Sequence, residues 1–186
     1  MLRLKTVIGS TRPTRKGPAV AEWVHRAATA HGAFDAELVD LASFELPLLD
    51  EPAHPAMHKY EHEHTRAWSA KMKQGDVYLF VTPEYDFFAP ASLVNALQCL
   101  STEWNRKAAG VISYGGVSGG LRSAQELRIL IANQGMMPLK QTVPVPFFGN
   151  LIEEDTLKAN EEMEKGLSGL LDELAVWGEA LKPLRN

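Results

Sequence analysis

Short apolar runs alternate along this chain with longer stretches of helical spacing. Leu2, Leu4, Val7 and Ile8 mark a mostly buried strand over 2–8. From Pro18 onward, Val20, Trp23, Val24 and Ala27 recur at helical spacing until Gly32 supplies a stop. FDAELVD, 34–40, suits a short strand, and the proline-rich LASFELPLLDEPAHP a surface loop. The charged segment 57–73 is predicted helical, ending near Gly75. Residues 76–83 and 108–114 are nearly continuous apolar runs, the pattern of strands buried on both faces of a parallel sheet. Pro90 opens a helix through Leu93, Ala96, Leu97 and Leu100, and Leu121, Ala124, Leu127, Leu130 and Ile131 form another helical stripe. A last strand is predicted over 136–147, shortened by its prolines, and a terminal helix over 156–182, weakened by Gly166, Gly169 and Gly178. Five strands alternating with five helices predict an α/β fold, a doubly wound parallel sheet.

Size and charge narrow the function classes. The 186 residues are most simply one domain, residues 1–186, able to bury a core without disulfide or metal. The net charge of -4 argues against a nucleic-acid-binding surface. The single cysteine, Cys99, lies in an apolar helical context and fits core packing in a reducing cytoplasm. No apolar stretch reaches membrane-spanning length, and residues 2–8 run into a polar loop with no secretory signal.

Against that acidic background, VIGSTRPTRKGPAV (7–20) stands out, because residues 1–21 contain no acid. Ser10, Thr11 and Thr14 offer hydroxyls, and Arg12, Arg15 and Lys16 offer positive charge, just before a helix opened by proline. A helix start presents unpaired N–H groups and a partial positive charge, so the loop reads as a phosphate cradle. The plain alternative is a solvated basic loop. Two more strand ends carry unusual sequence: TPEYDFF, with Pro83 and the flat Tyr85, and SYGGVSGG, whose glycines let a planar ligand approach the backbone. Ligands of such sheets bind beyond the carboxyl ends of the strands. Phosphate loop, aromatic loop and glycine loop together suit flavin mononucleotide (FMN), whose ring carbonyls the glycine-loop amides would face.

On these residues the chain resembles the NAD(P)H-dependent FMN reductases, a flavodoxin-like family that includes quinone, azo-dye and chromate reductases. The matching segments are GSTRPTRKGPAVAEWV, LPLLDEP, TPEYDFFAPASLVNAL and KAAGVISYGGVSGGLRSAQELR, in the family's order. The resemblance implies that Ser10, Arg12, Arg15, Lys16 and Gly17 surround the FMN phosphate. It implies that Pro83, Glu84, Tyr85 and Asp86 line the flavin ring, with Tyr114, Gly115, Gly116 and Ser118 on the facing loop. It further implies NADPH or NADH as donor, a small-molecule acceptor (quinone, azo or nitro compound, metal oxyanion or free flavin), no obligatory catalytic side chain, and a homodimer or homotetramer.

The middle motif departs from the family pattern. Asp86 stands for the usual Asn, Phe87 and Phe88 for small residues, Ala91 for Gly and Val94 for Lys, while Asn95 and Ala96 match. A carboxylate at 86 is expected to lower the flavin potential unless it faces solvent. Phe87 and Phe88 are expected to wall an aromatic substrate, to occlude the ring, or to pack on a partner subunit. Four other readings compete. A flavodoxin-like electron carrier would share the fold but lack NAD(P)H activity of its own, and a flavin-free interaction protein would have its site closed by the same departures. Gly116-Val117-Ser118-Gly119-Gly120 mimics a serine-hydrolase elbow, but every histidine lies at or before His64, so the required downstream histidine is missing. His58-Lys59-Tyr60-Glu61-His62 mimics a zinc-protease helix, and reads better as a solvated, histidine-rich helix that takes no resident metal.

Overall fold

The computed structural model describes residues 1–185. Five strands, β1 (Leu2–Ile8), β2 (Phe34–Asp40), β3 (Val77–Pro83), β4 (Ala108–Tyr114) and β5 (Met137–Val145), pair in parallel in the order β2-β1-β3-β4-β5. β3 and β4 are buried along their whole length, which explains their unbroken apolar sequence. Five helices follow: α1 (Gly17–His31), α2 (Glu63–Lys73), α3 (Ala91–Gln98), α4 (Leu121–Asn133) and α5 (Glu161–Leu181). α1 and α5 cover one face of the sheet through Val20, Trp23, Val24, Leu167, Leu170 and Leu174. On the other face, α2, α3 and α4 pack Trp68, Met72, Leu93, Leu97, Leu127 and Ile131. No described helix is long and apolar enough to cross a membrane.

Two segments depart from the sequence pattern. The helix expected over 57–73 begins only at Glu63, after a 3-10 turn at Pro55–Met57 and an irregular stretch. The Glu51 carboxylate accepts the N–H groups of Glu61 and His62 at 2.7 and 3.1 Å, and His58 adopts a left-handed φ of 53°. His58 and His62 therefore share no helical face. Among the described residues no group of three or more His, Cys, Asp or Glu side chains is arranged to hold a metal ion. The terminal helix likewise starts at Glu161 rather than 156, where the Asn160 side chain accepts the Met163 N–H at 2.9 Å. The residues before it form a two-stranded hairpin, β6 (Ile152–Glu153) and β7 (Thr156–Leu157), turned by Glu154 and Asp155 at positive φ. β5 is shorter than predicted and tolerates Pro138 and Pro144 because it lies at the sheet edge.

Candidate active site

The three singled-out loops leave the carboxyl ends of β1, β3 and β4, which are adjacent strands. Their ends are nearly level: Ile8 pairs with Val81, and Pro83 with Tyr114. The loops also touch. Ser10 is fully buried, and its hydroxyl lies 2.8 Å from the Tyr85 hydroxyl, joining the first loop to the second. Glu84 joins the second to the third: its carboxylate accepts from the Ser118 hydroxyl at 3.1 Å, the Arg122 N–H at 3.1 Å and Arg122 Nε at 2.7 Å. Burial by itself would raise the Glu84 carboxyl; the bonds from Arg122 and Ser118 outweigh it and hold the group below its ordinary value. Glu84 is thus an ionised strut between loops.

The aromatic loop is a two-residue hairpin. Tyr85 and Phe88 exchange both backbone hydrogen bonds at 2.9 Å, and Asp86 and Phe87 between them take φ of 48° and 76°. Two successive positive φ values are the mark of the mirror-image turns that suit hairpins, where Asn-Gly or Asp-Gly is the preferred pair. Asp86 meets that demand and is exposed; Phe87 meets it only under strain. Phe87 and Phe88 leave 56% and 60% of their surface exposed, so neither fills the interior. The Arg122 guanidinium stacks on the Phe87 ring, 3.8 Å from its centroid.

The cationic loop divides its charges unevenly. Arg15 is paired with Asp40 at the end of β2, and Lys16 with Asp155 of the β6–β7 hairpin at 2.8 Å. Arg12 is exposed and has no carboxylate partner among the described residues. The Nε of Arg15 is buried without any partner, a donor waiting for an acceptor. Tyr114 is buried at the base of the first loop. Its side chain is 3% exposed, edge-on to Phe148 with centroids 5.1 Å apart, and its hydroxyl lies against Gly17. In the third loop Gly119 and Gly120 adopt φ of 60° and 81°, and a side chain at Gly120 would strike the Tyr114 backbone. Gly116, by contrast, faces open space, the side from which a flat group would approach.

Three contributors escaped the sequence reading. Arg122 lies one residue into the helix after the glycine loop. Asp40 ends the strand beside the phosphate loop, where an acid facing three cations was a usable signal. Asp155 lies 139 residues from Lys16, and no local pattern announces that contact. The matched Asn95 serves the fold: its side chain donates to the Pro47 carbonyl at 2.7 Å and accepts the Leu49 N–H at 2.9 Å, pinning the LPLLDEP loop.

A phosphate-bearing flat group fits this donor set: free Arg12, the orphan Arg15 Nε, hydroxyls on Thr11 and Thr14, and the open glycine edge. Comparison with known proteins agrees. Residues 2–150 match the model of the NADPH-dependent FMN reductases. The chain belongs to that family. Its fold is the flavodoxin-like one, and the family is one of oxidoreductases named for NADPH and FMN. A similar NAD(P)H-dependent FMN reductase of Schizosaccharomyces pombe is 42% identical over 63% of this chain and 60% of its own length. The chain thus spans less than two thirds of that relative. A Nectria NAD(P)H-dependent FMN reductase is 34% identical over 77% and 76% of the two chains. A quinone reductase of Escherichia coli is 25% identical over 99% of this chain and 97% of its own. Among solved structures, a flavoenzyme NAD(P)H:(acceptor) oxidoreductase of Paracoccus denitrificans superposes with a TM-score of 0.73 at 19% identity, covering 97% and 98% of the chains, and supports the fold.

Proposed function

We propose that this family member oxidises NAD(P)H and passes the electrons to an aromatic acceptor of the quinone, azo or nitro class, the three-loop crevice being both cofactor and acceptor site. The observation that carries this reading is the convergence of a cationic loop with an uncommitted arginine, an aromatic hairpin and an open glycine edge on three adjacent strand ends. Bound FMN would supply the two-electron chemistry. Arg12, Arg15, Lys16 and the Ser10–Gly17 backbone at the start of α1 would bind its phosphate, and Pro83, Glu84, Tyr85 and Asp86 would border its ring opposite Gly115, Gly116 and Ser118. Tyr114 would act from beneath, holding the loop in place. Asp86 is exposed, so water and salt screen its charge and soften its effect on the potential. Phe87 and Phe88 would form the apolar wall for the acceptor and keep water from one side of it. The likeness to the quinone reductase of Escherichia coli over nearly the whole chain favours a quinone; a metal oxyanion gains nothing from an apolar wall.

The whole chain would serve as one FMN-binding domain working in the cytoplasm. A homodimer or homotetramer is supported by the apolar groove between α3 and α4, which Phe88, Val94, Ile129 and Leu130 line. The decisive experiment is the visible spectrum of the purified protein, with FMN and then NADPH added under nitrogen. Prompt bleaching supports the reductase reading. A persistent flavin band points instead to an electron carrier, and no bound flavin after reconstitution defeats the site.

A further inference from the structure

The amino ends of the strands carry chemistry that the flavin reading does not use. A cavity of about 640 Å³ opens there, lined by Arg3, Lys73, Arg106, Lys107, Lys182 and Arg185, with Asp76 and Glu103 as the acids among the described residues. Six cations against two carboxylates is the reverse of a chain that holds 19 basic and 23 acidic residues. Arg3 stands near the start of β1, and the phosphate loop leaves its far end, so the two regions are separated by the strand, roughly 15–20 Å at ~3.3 Å per residue. We infer that this cavity is a second binding site, for a compact anion carrying two or more negative charges of the phosphate type.

Both acids are already engaged. Asp76 accepts the Arg3 N–H at 2.9 Å and Arg185 Nη1 at 2.9 Å. Glu103, whose side chain is fully buried, accepts from the Tyr60 hydroxyl at 3.1 Å, the Ser69 hydroxyl at 2.5 Å and the Ser101 N–H at 3.2 Å. Lys73, Arg106, Lys107 and Lys182 are left with no ion-pair partner among the described residues. Like charges gathered without a counter-charge repel one another, and an anion in their midst relieves the repulsion.

The cations are also held in place. Arg185 is fixed twice more, with Nε on the Arg106 carbonyl at 3.0 Å and Nη2 on the Asp76 carbonyl at 2.8 Å. Arg106 takes a left-handed φ of 58°, and its N–H is fastened to the Gly135 carbonyl at 2.9 Å. Lys107 is 7% exposed and forms the floor, donating to the Tyr78 hydroxyl at 2.9 Å and to the last carbonyls of α2. Arg185 thus spends its fork on the protein and contributes fixed charge, while the Lys73 and Lys182 ammonium groups on the rim meet the phosphate oxygens. The volume lies within the ~300–1,000 Å³ of small-molecule sites.

The test uses FMN-loaded protein, so that the phosphate loop is filled, and titrates pyrophosphate and a hexose bisphosphate by calorimetry at matched ionic strength. One saturable site is expected per chain, with a raised melting temperature. Tighter binding of the inorganic anion, or of the sugar ester, identifies which source of the phosphate group the cavity prefers. Lys73→Gln with Lys182→Gln, both on the exposed rim, should weaken binding at least about tenfold, a loss of ~1.4 kcal/mol, without changing flavin content. Arg12→Ala should leave it unchanged. Absence of saturable binding, or binding that survives the rim double variant and disappears in Arg12→Ala, overturns the inference. If the protein takes up no flavin, the same titration of the unloaded variants still separates the two regions: binding lost in the rim double variant belongs to the cavity, and binding lost in Arg12→Ala to the loop.

Discussion

The Arg122 guanidinium stacks on Phe87, the bulkiest of the residues held at positive φ beside the crevice. A left-handed non-glycine residue costs ~1–2 kcal/mol. An exposed cation–π contact returns about 0.5–1 kcal/mol of that, and Glu84 keeps the guanidinium where the contact needs it. The ring is thereby held at the mouth of the site instead of swinging free.

Replacing Phe87 with Gly removes the strain and the stack together. Stability should change by less than about 1 kcal/mol, since the two effects oppose. The KM for an aromatic quinone should rise about tenfold with kcat retained, the loss of one aromatic contact. Steady-state kinetics beside a thermal melt would show this. An unchanged KM would remove Phe87 from the substrate wall.

Arg12→Ala should weaken FMN binding by about 10- to 100-fold, the worth of a charged hydrogen bond of ~1.5–3 kcal/mol. Arg15→Ala should also weaken it, for a different reason: it strands the Asp40 carboxylate next to the phosphate. Adding Asp40→Asn to Arg15→Ala should therefore recover part of the loss, and should recover nothing in Arg12→Ala. Flavin-fluorescence titrations of the four proteins decide it, with circular dichroism confirming that each is folded.

Burial pushes the Lys107 ammonium down to about 8 from its ordinary 10.5. Between those values the unfolded chain binds more protons at this group than the folded one, so its contribution to stability rises with pH from 8 to 10.5. Below pH 8 the whole cost of burying the charge is present. Denaturant melts of the native protein and Lys107→Met should diverge across that window, the native protein gaining. Parallel curves would show that Lys107 titrates normally.

Gly178 and Gly169 should respond to alanine with opposite signs. A Cβ at Gly178 would fall 2.5 Å from Leu2 Cδ1 and 2.6 Å from Val77 Cγ1, where α5 presses on the sheet. Overpacking there costs about 1–3 kcal/mol, against ~1 kcal/mol gained in helix propensity. At Gly169 the nearest atom is Gln141 Oε1 at 3.4 Å, so the propensity gain prevails. The two melting temperatures should move apart, down for Gly178→Ala and up for Gly169→Ala.

The loops of the candidate site were legible in the chain because their parts are local. A strand end, the few residues after it and the start of a helix lie together in sequence, so the loops at 10–17, 83–88 and 114–120 could be recognised singly. Their internal arrangement was less legible. Tyr114 belongs to the glycine-loop motif yet lies beneath the phosphate loop, since the last residue of a central strand can point into either layer. The histidine segment misled for a related reason: its helical spacing is real, but the Glu51 carboxylate claims the N–H groups of residues 61 and 62 and delays the helix.

The sequence by itself determined the layered α/β architecture, the three loops of the candidate site and the family, because apolar periodicity and glycine or proline punctuation act over a few residues. Tertiary structure decided how the charges are shared. Arg15 met Asp40, Lys16 met Asp155 and Glu84 met Arg122, leaving Arg12 uncommitted. It also gathered Arg3, Lys107 and Arg185 from distant parts of the chain into one cationic cavity. Coulomb attraction and repulsion depend on distance in space, and only the folded chain sets that distance.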